Sequence, residues 1–311
     1  MIKNFKKTKR VYVAGQEGMV GSAIYNLLNE KGYNLINCPR SKLDLTSQTE
    51  VKKWFKKNKP NIVINAAGKV GGILDNKKNK KDYLYVNTII GLNLLQESIL
   101  TNVDQFINLG SACIYPKKTI QPIKENHLLT SALEESNEGY ALAKIIVLKY
   151  CEYIFLKKKK YISLMPANLY GKGDNFDLKS SHVIAALVKK FHDAKINNQS
   201  FVEVWGSGNP KREFLNTQDL AAAVLICLKR SIKFPYLNVG GGESVSIKNL
   251  ANKIKKIVGY KGRIYFNKKY PDGVSKRRLD DKKMRLLGWK PSIKLNKGLA
   301  RYYLDFKKSL T

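Results

Sequence analysis

Tyr140 and Lys144 form the pair of residues in this sequence that best suits proton transfer. Three residues separate them in the segment GYALAK, so in a helix both side chains lie on one face, one turn apart. A lysine cation beside a phenol lowers the pKa of the phenol, which lets the tyrosine donate or accept a proton near neutral pH. Ser111 ends the apolar run QFINLGS and supplies a hydroxyl. Ser111, Tyr140 and Lys144 together predict a carbonyl reductase in which hydroxyl and phenol hold one ketone oxygen.

Cys113 lies two residues beyond Ser111, in the segment LGSACIYP. Two donors that hold a ketone oxygen also stabilise an enolate at that oxygen, so a base beside them can remove a proton from the neighbouring carbon. A thiolate, favoured by Lys144, NADP⁺ or strand-end amides, is one candidate for this base. A buried structural thiol explains the residue equally well, and the residues alone leave both readings open.

The remaining cysteines and two of the three histidines are predicted to be structural. The four cysteines form no C-x-x-C pair and have no clustered histidine partners, so neither a disulfide framework nor a metal site is predicted. Cysteines in apolar surroundings are expected to behave as small buried hydrophobic residues. The residues assigned this structural reading are Cys38, Cys151, Cys227, His127 and His192.

Gly15, Gly18 and Gly21 follow the first apolar run, in the segment GQEGMVGSA, and open a helical pattern. Glycines at this point permit a tight turn and bring the backbone close to a pyrophosphate at the helix N-terminus. The spacing therefore predicts a dinucleotide site. The pattern G-x-x-G-x-x-G resembles that of the short-chain dehydrogenase/reductase superfamily.

The end of the second predicted strand, CPRSKLDL, points to NADP(H) as the cofactor. No acidic residue stands there to hold a ribose 2′-hydroxyl, whereas Arg40 suits a 2′-phosphate. Glu17, inside the glycine turn, argues mildly against NADP(H), because a carboxylate repels that phosphate. Asp44 lies too far along the chain to select the ribose and is read as an adenine contact or as a helix-cap or loop residue.

Short apolar runs alternate with stretches of helical period, which predicts a Rossmann-type doubly wound α/β fold with a smaller, interleaved C-terminal substrate domain. We expect an NADP-binding domain over 1–170, to which segments near 212–242 return, and a mainly substrate-binding domain over 171–311. The predicted strands are 10–14, 33–38, 61–67, 105–111, 161–167, 201–205, 212–215, 236–240 and 263–266. The predicted helices are 18–31, 47–58 (capped by Thr46 or Ser47), 82–101, 138–156, 180–195, 217–230, 246–257, 279–287 and 295–308.

The formal net charge of +33 raises the question of a nucleic-acid partner. The lysines are spread over the whole chain without interleaved aromatic residues, so we favour a lysine-rich coding bias on the surface of an enzyme and expect no nucleic-acid partner. The longest apolar stretch, LAAAVLICL, is far too short to span a membrane, and the basic start precedes only five apolar residues. We expect no membrane association and a cytoplasmic location.

Several longer motifs resemble those of the GDP-L-fucose synthase family from about residue 10 to 308. They are NAAGKVGGI, LGSACIYP, NEGYALAK, MPANLYGKGDNF, SHVIAALVKKFH, VWGSGNPKREFL and PDGVSKRRLD. Members of this family epimerise C3 and C5 of GDP-4-keto-6-deoxy-D-mannose and then reduce the C4 ketone with NADPH. The resemblance implies that Cys113 is the base of the epimerisation and His182 the acid, with Ser111, Tyr140 and Lys144 as the reductase set.

The resemblance also implies binding residues and a homodimer. The implied cofactor contacts are Gly15, Gln16, Glu17, Gly18, Met19, Val20, Gly21, Leu109, Gly110, Ser111, Ala112, Lys144, Pro166, Ala167, Asn168, Leu169 and His182. The implied GDP-sugar contacts are Lys190, Trp205, Arg212, Asp272 and Lys276. The predicted helices 82–101 and 138–156 are expected to pair with their copies in the dimer.

The sequence departs from the family at Glu17, Ala112, Gly139 and Ser275, where the family has Arg, Ser, Pro and Pro. The rivals are another GDP-sugar epimerase or reductase, such as one acting on a GDP-heptose, and a nucleic-acid-binding protein on a reductase fold. A 4,6-dehydratase is disfavoured, because its acids are expected after the strand-end serine, where Ala112 and Cys113 stand.

Overall fold

The computed structural model describes residues 8–157, 159–270 and 272–310. The basic start of the chain therefore lies mostly outside the described residues. The strands are β1 (Arg10–Ala14), β2 (Asn34–Ile36), β3 (Ile62–Asn65), β4 (Gln105–Leu109), β5 (Lys160–Pro166), β6 (Asn168–Tyr170), β7 (Phe201–Trp205), β8 (Lys211–Asn216), β9 (Tyr236–Val239), β10 (Glu243–Ser246), β11 (Arg263–Asn267) and β12 (Lys276–Arg277). The helices are α1 (Met19–Glu30), α2 (Gln48–Asn58), α3 (Ile73–Lys78), α4 (Lys80–Leu100), α5 (Glu138–Phe155), α6 (Val183–Ile196), α7 (Thr217–Lys229), α8 (Ile247–Val258), α9 (Lys282–Leu286) and α10 (Leu295–Lys308).

A six-stranded parallel sheet with the order β2-β1-β3-β4-β5-β9 forms the centre of the molecule. Its inner strands are apolar and buried along their length, because helices cover both faces. This is the predicted Rossmann-type fold. Since all six strands are parallel, their carboxyl ends share one edge, which is where such sheets bind nucleotides.

A second, four-stranded sheet joins distant parts of the chain. Strand β8 pairs with β10, β12 and β6, and a separate parallel pair links β7 with β11. A second hydrophobic core lies between this sheet and helices α6, α8 and α10. The segment 212–242 contributes to both sheets, because β8 lies in the second sheet and β9 in the first. The domain boundaries remain a prediction.

Most predicted elements are found within a few residues of their expected bounds. Ser47, rather than Thr46, caps α2, because its side chain accepts the Glu50 backbone N–H. Three strands end two residues earlier than predicted, and two others end one residue earlier. The strand predicted over 105–111 ends at Leu109, so Ser111 lies beyond the sheet. Helix α3 and the short strands β6, β10 and β12 were not predicted.

Four cysteines are free, and those at 38, 151 and 227 are buried, as predicted. Among the described residues, no helix is long and apolar enough to pass through a bilayer. Within the same part of the chain, no three histidine, cysteine or acidic side chains are grouped as metal ligands would be.

Candidate active site

A short turn after β4 carries both Ser111 and Cys113. Ser111 precedes a single 3₁₀ turn, Ala112–Ile114, and its Oγ accepts the backbone N–H of Cys113 at 3.2 Å. The hydroxyl therefore caps the turn that holds the thiol. Cys113 is partly exposed, whereas the other three cysteines are buried. The thiol that sequence analysis singled out is thus the one that a ligand can reach.

Helix α5 places Tyr140 and Lys144 beside this turn. The Tyr140 phenol faces the Ser111 side chain, close enough for the two hydroxyl groups to interact. The Lys144 ammonium donates to the Leu109 carbonyl at 2.9 Å and lies 5.6 Å from the centre of the Tyr140 ring. The structure therefore brings the predicted serine, tyrosine and lysine together at the carboxyl end of β4.

Burial controls the pKa of both ionisable groups on α5. Burial raises the pKa of Tyr140, and the nearby Cys113 raises it further, whereas the interaction with the Ser111 side chain lowers it. This direction is opposite to the lowering by Lys144 that we expected. The Lys144 ammonium is itself buried, which lowers the pKa of Lys144 to about 8. Desolvation favours the uncharged form of both groups, so the phenol stays protonated at neutral pH.

Asn87 of α4 is a buried polar residue beside the lysine that sequence analysis missed. Its Nδ2 donates to the carbonyls of Lys69 and Tyr83, at 3.0 and 2.8 Å. Its Oδ1 is buried and has no hydrogen-bond partner among the described residues. A Cβ built on Gly68 would lie 2.5 Å from this oxygen and 3.7 Å from the Lys144 ammonium. The sequence signal that could have identified Asn87 is a polar residue within the apolar stretch VNTIIGLN.

The glycine turn between β1 and α1 fits a dinucleotide. Gly15 has φ +80°, and a Cβ there would lie 2.9 Å from the Ala66 carbonyl oxygen. A Cβ on Gly21 would overlap the carbonyl of Gly15. Gly18 caps α1 without a side chain, so the first N–H groups of the helix face the turn. Only glycine permits this close packing, and it leaves the helix N-terminus open to a pyrophosphate.

Gln16 and Glu17 reach from the glycine turn to the end of β2. The Glu17 carboxylate accepts the backbone N–H of Arg40 at 2.7 Å. Gln16 bonds to the Asn37 side chain at 2.5 Å and to the Cys38 N–H at 3.2 Å. The carboxylate thus stands where sequence analysis places the adenosine ribose, close to Arg40. Met19 and Val20 form the first turn of α1.

The predicted contacts at 109–112 and 166–169 follow two neighbouring parallel strands. Gly110 donates its N–H to the Leu164 carbonyl at 2.8 Å, and the Ala167 N–H donates to Val239 at 3.1 Å. Pro166 ends β5, while Asn168 and Leu169 belong to β6 in the second sheet. These residues share the sheet edge with the glycine turn, because β1, β3, β4 and β5 are adjacent and parallel.

Lys190 of α6 and Trp205 at the end of β7 lie together, outside the central sheet. The Lys190 ammonium donates to the Glu203 carbonyl at 3.0 Å and lies 4.7 Å from the Trp205 ring centre. Trp205 is exposed and stacks on Tyr270, with ring centres 4.5 Å apart. Asp272 accepts the N–H of Ser207 at 2.9 Å and its hydroxyl at 2.6 Å. An exposed aromatic pair beside a cation suits a planar, anionic ligand.

Two arginines stand side by side on β8 and β12, where Arg277 pairs with Arg212. Burial lowers the pKa of Arg212, and the neighbouring Arg277 lowers it further. Arg277 is buried and donates to the Ala112 carbonyl at 2.7 Å. Lys276 is exposed. Arg212 lies close enough to Cys113 to interact with it electrostatically, and Arg277, which sequence analysis did not select, donates directly to the turn that carries this thiol.

His182 immediately precedes α6, at the end of a loop that packs on the 68–73 segment through the Gly72 N–H and the Ser180 carbonyl, 2.7 Å apart. It lies near the partly buried Asp174 carboxylate, which accepts the Tyr302 hydroxyl at 2.8 Å. The other histidines have structural partners. His127 bonds to Thr119 at 3.1 Å, and His192 bonds to Tyr303 at 3.0 Å.

Comparisons with known proteins give relatives that cover nearly the whole chain. Residues 11–240 match the model of the NAD dependent epimerase/dehydratase family. The chain is 44% identical over 299 residues to the GDP-L-fucose synthase of Sinorhizobium fredii, covering 96% of this chain and 95% of that protein. It is 43% identical over 306 residues to GDP-L-fucose synthase 1 of Arabidopsis thaliana, covering 98% and 95%.

Solved structures of GDP-heptose enzymes share the fold. A GDP-6-OMe-4-keto-L-xylo-heptose reductase from Campylobacter jejuni superposes with a TM-score of 0.90 at 31% identity, covering 97% of this chain and 98% of that one. The GDP-mannoheptose C4 reductase MlghC of the same organism, with NADP bound, superposes with a TM-score of 0.86 at 32% identity, covering 96% and 98%.

Proposed function

The chain belongs to the NAD dependent epimerase/dehydratase family, and we propose that it converts GDP-4-keto-6-deoxy-D-mannose to GDP-L-fucose with NADP(H) as cofactor. The observation that carries this proposal is the turn after β4. A hydroxyl and a phenol that can hold one ketone oxygen stand beside a partly exposed thiol. Reduction of the ketone needs the first two groups, and epimerisation beside the ketone needs the third.

In the reduction, Ser111 and Tyr140 bind the C4 carbonyl oxygen of the sugar. When bound, NADPH supplies the hydride that C4 receives. Tyr140 donates its proton to the oxygen as the negative charge develops there, and burial, which raises the pKa of this phenol, keeps the phenol protonated until then. Lys144, fixed by the Leu109 carbonyl, holds the nicotinamide ribose and offers a cation beside the phenolate that remains.

In the epimerisation, the thiolate form of Cys113 removes a proton from C3 or C5 while the same two donors stabilise the enolate at the C4 oxygen. The C–H bond breaks and an S–H bond forms. His182 then returns a proton to the carbon from the opposite face, which inverts its configuration. The resemblance to the family supports these two roles. The partial exposure of Cys113 and the position of His182, before α6 on a loop against the 68–73 segment, are consistent with them.

The GDP part of the substrate needs cations and a flat apolar surface. Arg212 and Lys190 are proposed partners of the diphosphate, since a guanidinium binds phosphate oxygens in pairs. The stacked Trp205 and Tyr270 rings offer an apolar wall. Asp272, which orders the loop at Ser207, is a further proposed substrate contact. Lys276 is exposed and stays a prediction.

A second candidate substrate is a GDP-4-keto-heptose. The observation that favours it is the TM-score of 0.90 with a GDP-heptose reductase. The two substrates differ in the length of the sugar beyond C5, so one competition assay separates them. The GDP-heptose reading is preferred if the enzyme turns over that sugar with a higher kcat/KM.

We also propose a homodimer formed through α4 and α5. Both helices expose large apolar side chains that the single chain leaves uncovered: Tyr85, Leu142, Ile146 and Tyr153. Exposed apolar side chains on two helices that pack together suit a four-helix contact between copies. Light scattering at micromolar concentration is expected to give twice the mass of the chain.

A cytoplasmic location is proposed because the four free thiols suit a reducing compartment.

The proposed function is tested by supplying GDP-4-keto-6-deoxy-D-mannose with NADPH in D₂O and following the sugar by NMR. GDP-L-fucose with deuterium at C3 and C5 is the expected product. For Cys113→Ser we expect deuterium incorporation to fall sharply while NADPH binding persists. For Tyr140→Phe we expect ketone reduction to fall by at least about 100-fold while deuterium incorporation outlasts it. Wild-type protein that neither exchanges these hydrogens nor reduces the ketone would refute the proposal.

A further inference from the structure

The Arg277 guanidinium is a buried cation without a counter-ion. Its side chain is 8% exposed, and among the described residues no carboxylate lies within ion-pair distance of it. In that same part of the chain its one hydrogen-bond acceptor is the Ala112 carbonyl, at 2.7 Å. A guanidinium has five N–H donors, and burying one without a partner is costly. The Ala112 carbonyl is therefore the group on which the Arg277 side chain acts.

The residue that Arg277 holds is the first of the Cys113 turn. Ala112 begins the 3₁₀ turn Ala112–Ile114, and its carbonyl also accepts the Tyr115 N–H, at 3.4 Å. The second support of the turn is the Ser111 hydroxyl, which accepts the Cys113 N–H. Both supports act on the peptide group between Ala112 and Cys113, because Arg277 donates to its carbonyl and Ser111 accepts its N–H, so loss of either one leaves the orientation of the thiol poorly fixed.

Arg277 also belongs to the sheet that carries the proposed diphosphate partner. Strand β12 pairs in parallel with β8, and this register sets Arg277 directly beside Arg212. A movement of β8 when a ligand binds is therefore transmitted to Ala112 by the pairing of β8 with β12 and by the hydrogen bond from Arg277 to the Ala112 carbonyl. The two flanking cations, Lys276 and Arg278, are exposed, which leaves Arg277 as the inward member of the KRR run.

We propose that Arg277 is a positioning residue for the epimerisation, which fixes the Ala112 carbonyl and thereby aims the Cys113 thiol at the sugar. It links the substrate-binding sheet to the turn that carries the base. The kinetic part of this inference rests on the proposed role of Cys113, whereas the effect of Arg277 on the turn does not.

The test compares Arg277→Met with Arg277→Lys and with the matched control Arg278→Met. Arg278→Met removes the same charge from the neighbouring, exposed position. The first measurement is hydrogen–deuterium exchange of the 109–116 peptide in the resting protein, which needs no substrate. For Arg277→Met we expect exchange of this peptide to be at least about tenfold faster, and for Arg278→Met we expect no change.

The second measurement is deuterium incorporation at C3 and C5 of GDP-4-keto-6-deoxy-D-mannose. Arg277→Met is expected to lower kcat for this exchange by about tenfold or more while KM stays within about threefold. Arg277→Lys, one bond shorter but able to donate to the carbonyl, is expected to recover kcat to within about threefold. NADPH affinity is expected to be unchanged in all three variants.

Three outcomes would overturn the inference. One is unchanged exchange of the 109–116 peptide in Arg277→Met. Another is a raised KM with unchanged kcat, which would make Arg277 a substrate contact only. The third is a faster peptide exchange with unchanged kcat. If Arg277→Met does not fold, Arg277→Gln takes its place, because its amide is too short to reach the carbonyl and the same losses are expected. If the wild-type protein shows no C–H exchange, the proposed function fails, and the peptide measurement still decides the role of Arg277 in the turn.

Discussion

Replacing Lys144 with Met is expected to make the protein more stable while removing its reductase activity. Burial lowers the pKa of this lysine from 10.5 to about 8. A shift of one unit corresponds to about 1.4 kcal/mol, so holding the ammonium in the fold costs about 3 kcal/mol at pH 7. Losing its hydrogen bond to the Leu109 carbonyl offsets about 1–2 kcal/mol of the gain. The net expectation is a stabilisation of about 1–2 kcal/mol at pH 7.

The pH dependence separates this explanation from a simple packing effect. The pKa of Lys144 is lower in the folded state, so the unfolded chain binds the proton more tightly and wild-type stability rises with pH from about 8 to 10.5. The advantage of Lys144→Met should therefore shrink by about 1 kcal/mol between pH 7 and pH 9. Urea unfolding followed by tryptophan fluorescence measures both values.

Tyr140→Phe is the matched control for the titration. Burial raises the pKa of that phenol, so the group does not titrate between pH 7 and pH 9, and the stability difference from wild type should stay constant. Ketone reduction by Lys144→Met is expected to fall by at least about 100-fold. The reasoning is wrong if Lys144→Met is less stable than wild type at pH 7, or if the gap stays the same at pH 9.

Two further substitutions test charges near the site. Glu17→Gln removes the carboxylate that accepts the Arg40 N–H, and it should raise the ratio of NADPH to NADH affinity by about fivefold, measured by fluorescence titration of both cofactors. An unchanged ratio would mean that Glu17 does not face the ribose. Burial raises the pKa of Glu213 from 4.5 to about 7. The stability that the protonated carboxyl contributes is therefore full below pH 4.5 and is lost as the pH rises through 7, which lowers the free energy of unfolding by about 3 kcal/mol. Glu213→Gln should flatten this pH dependence in urea unfolding, and an equally steep profile would contradict the assignment.

The sequence was sufficient for the elements whose signal is local. The inner strands are short apolar runs, and α2 has its cap one residue before the helical pattern begins, so both could be read from neighbouring residues. Strands β6, β10 and β12 are two to four residues long and partly polar, and only their pairing with β8 makes them strands. Such strands carry no periodicity of their own.

The site shows the same division between local and long-range information. The serine, thiol, tyrosine and lysine could be named from spacing and resemblance. The direction of the Tyr140 pKa could not, because it depends on how much protein covers the phenol. Arg277 sits among three consecutive cations, and the register of β12 against β8 decides which of them points inward. That register is set by residues far away in the chain.

The interleaving of the two sheets constrains the order in which a growing chain can fold. Strand β5 gains its outer neighbour, β9, only when Tyr236–Val239 has been synthesised. Strands β6, β7 and β8 are synthesised before that, and they belong to other sheets. Until then the nascent polypeptide presents a free strand edge at β5, the feature that promotes aggregation. A ribosome-bound chain stopped before residue 236 should therefore need a chaperone, and one released after it should not.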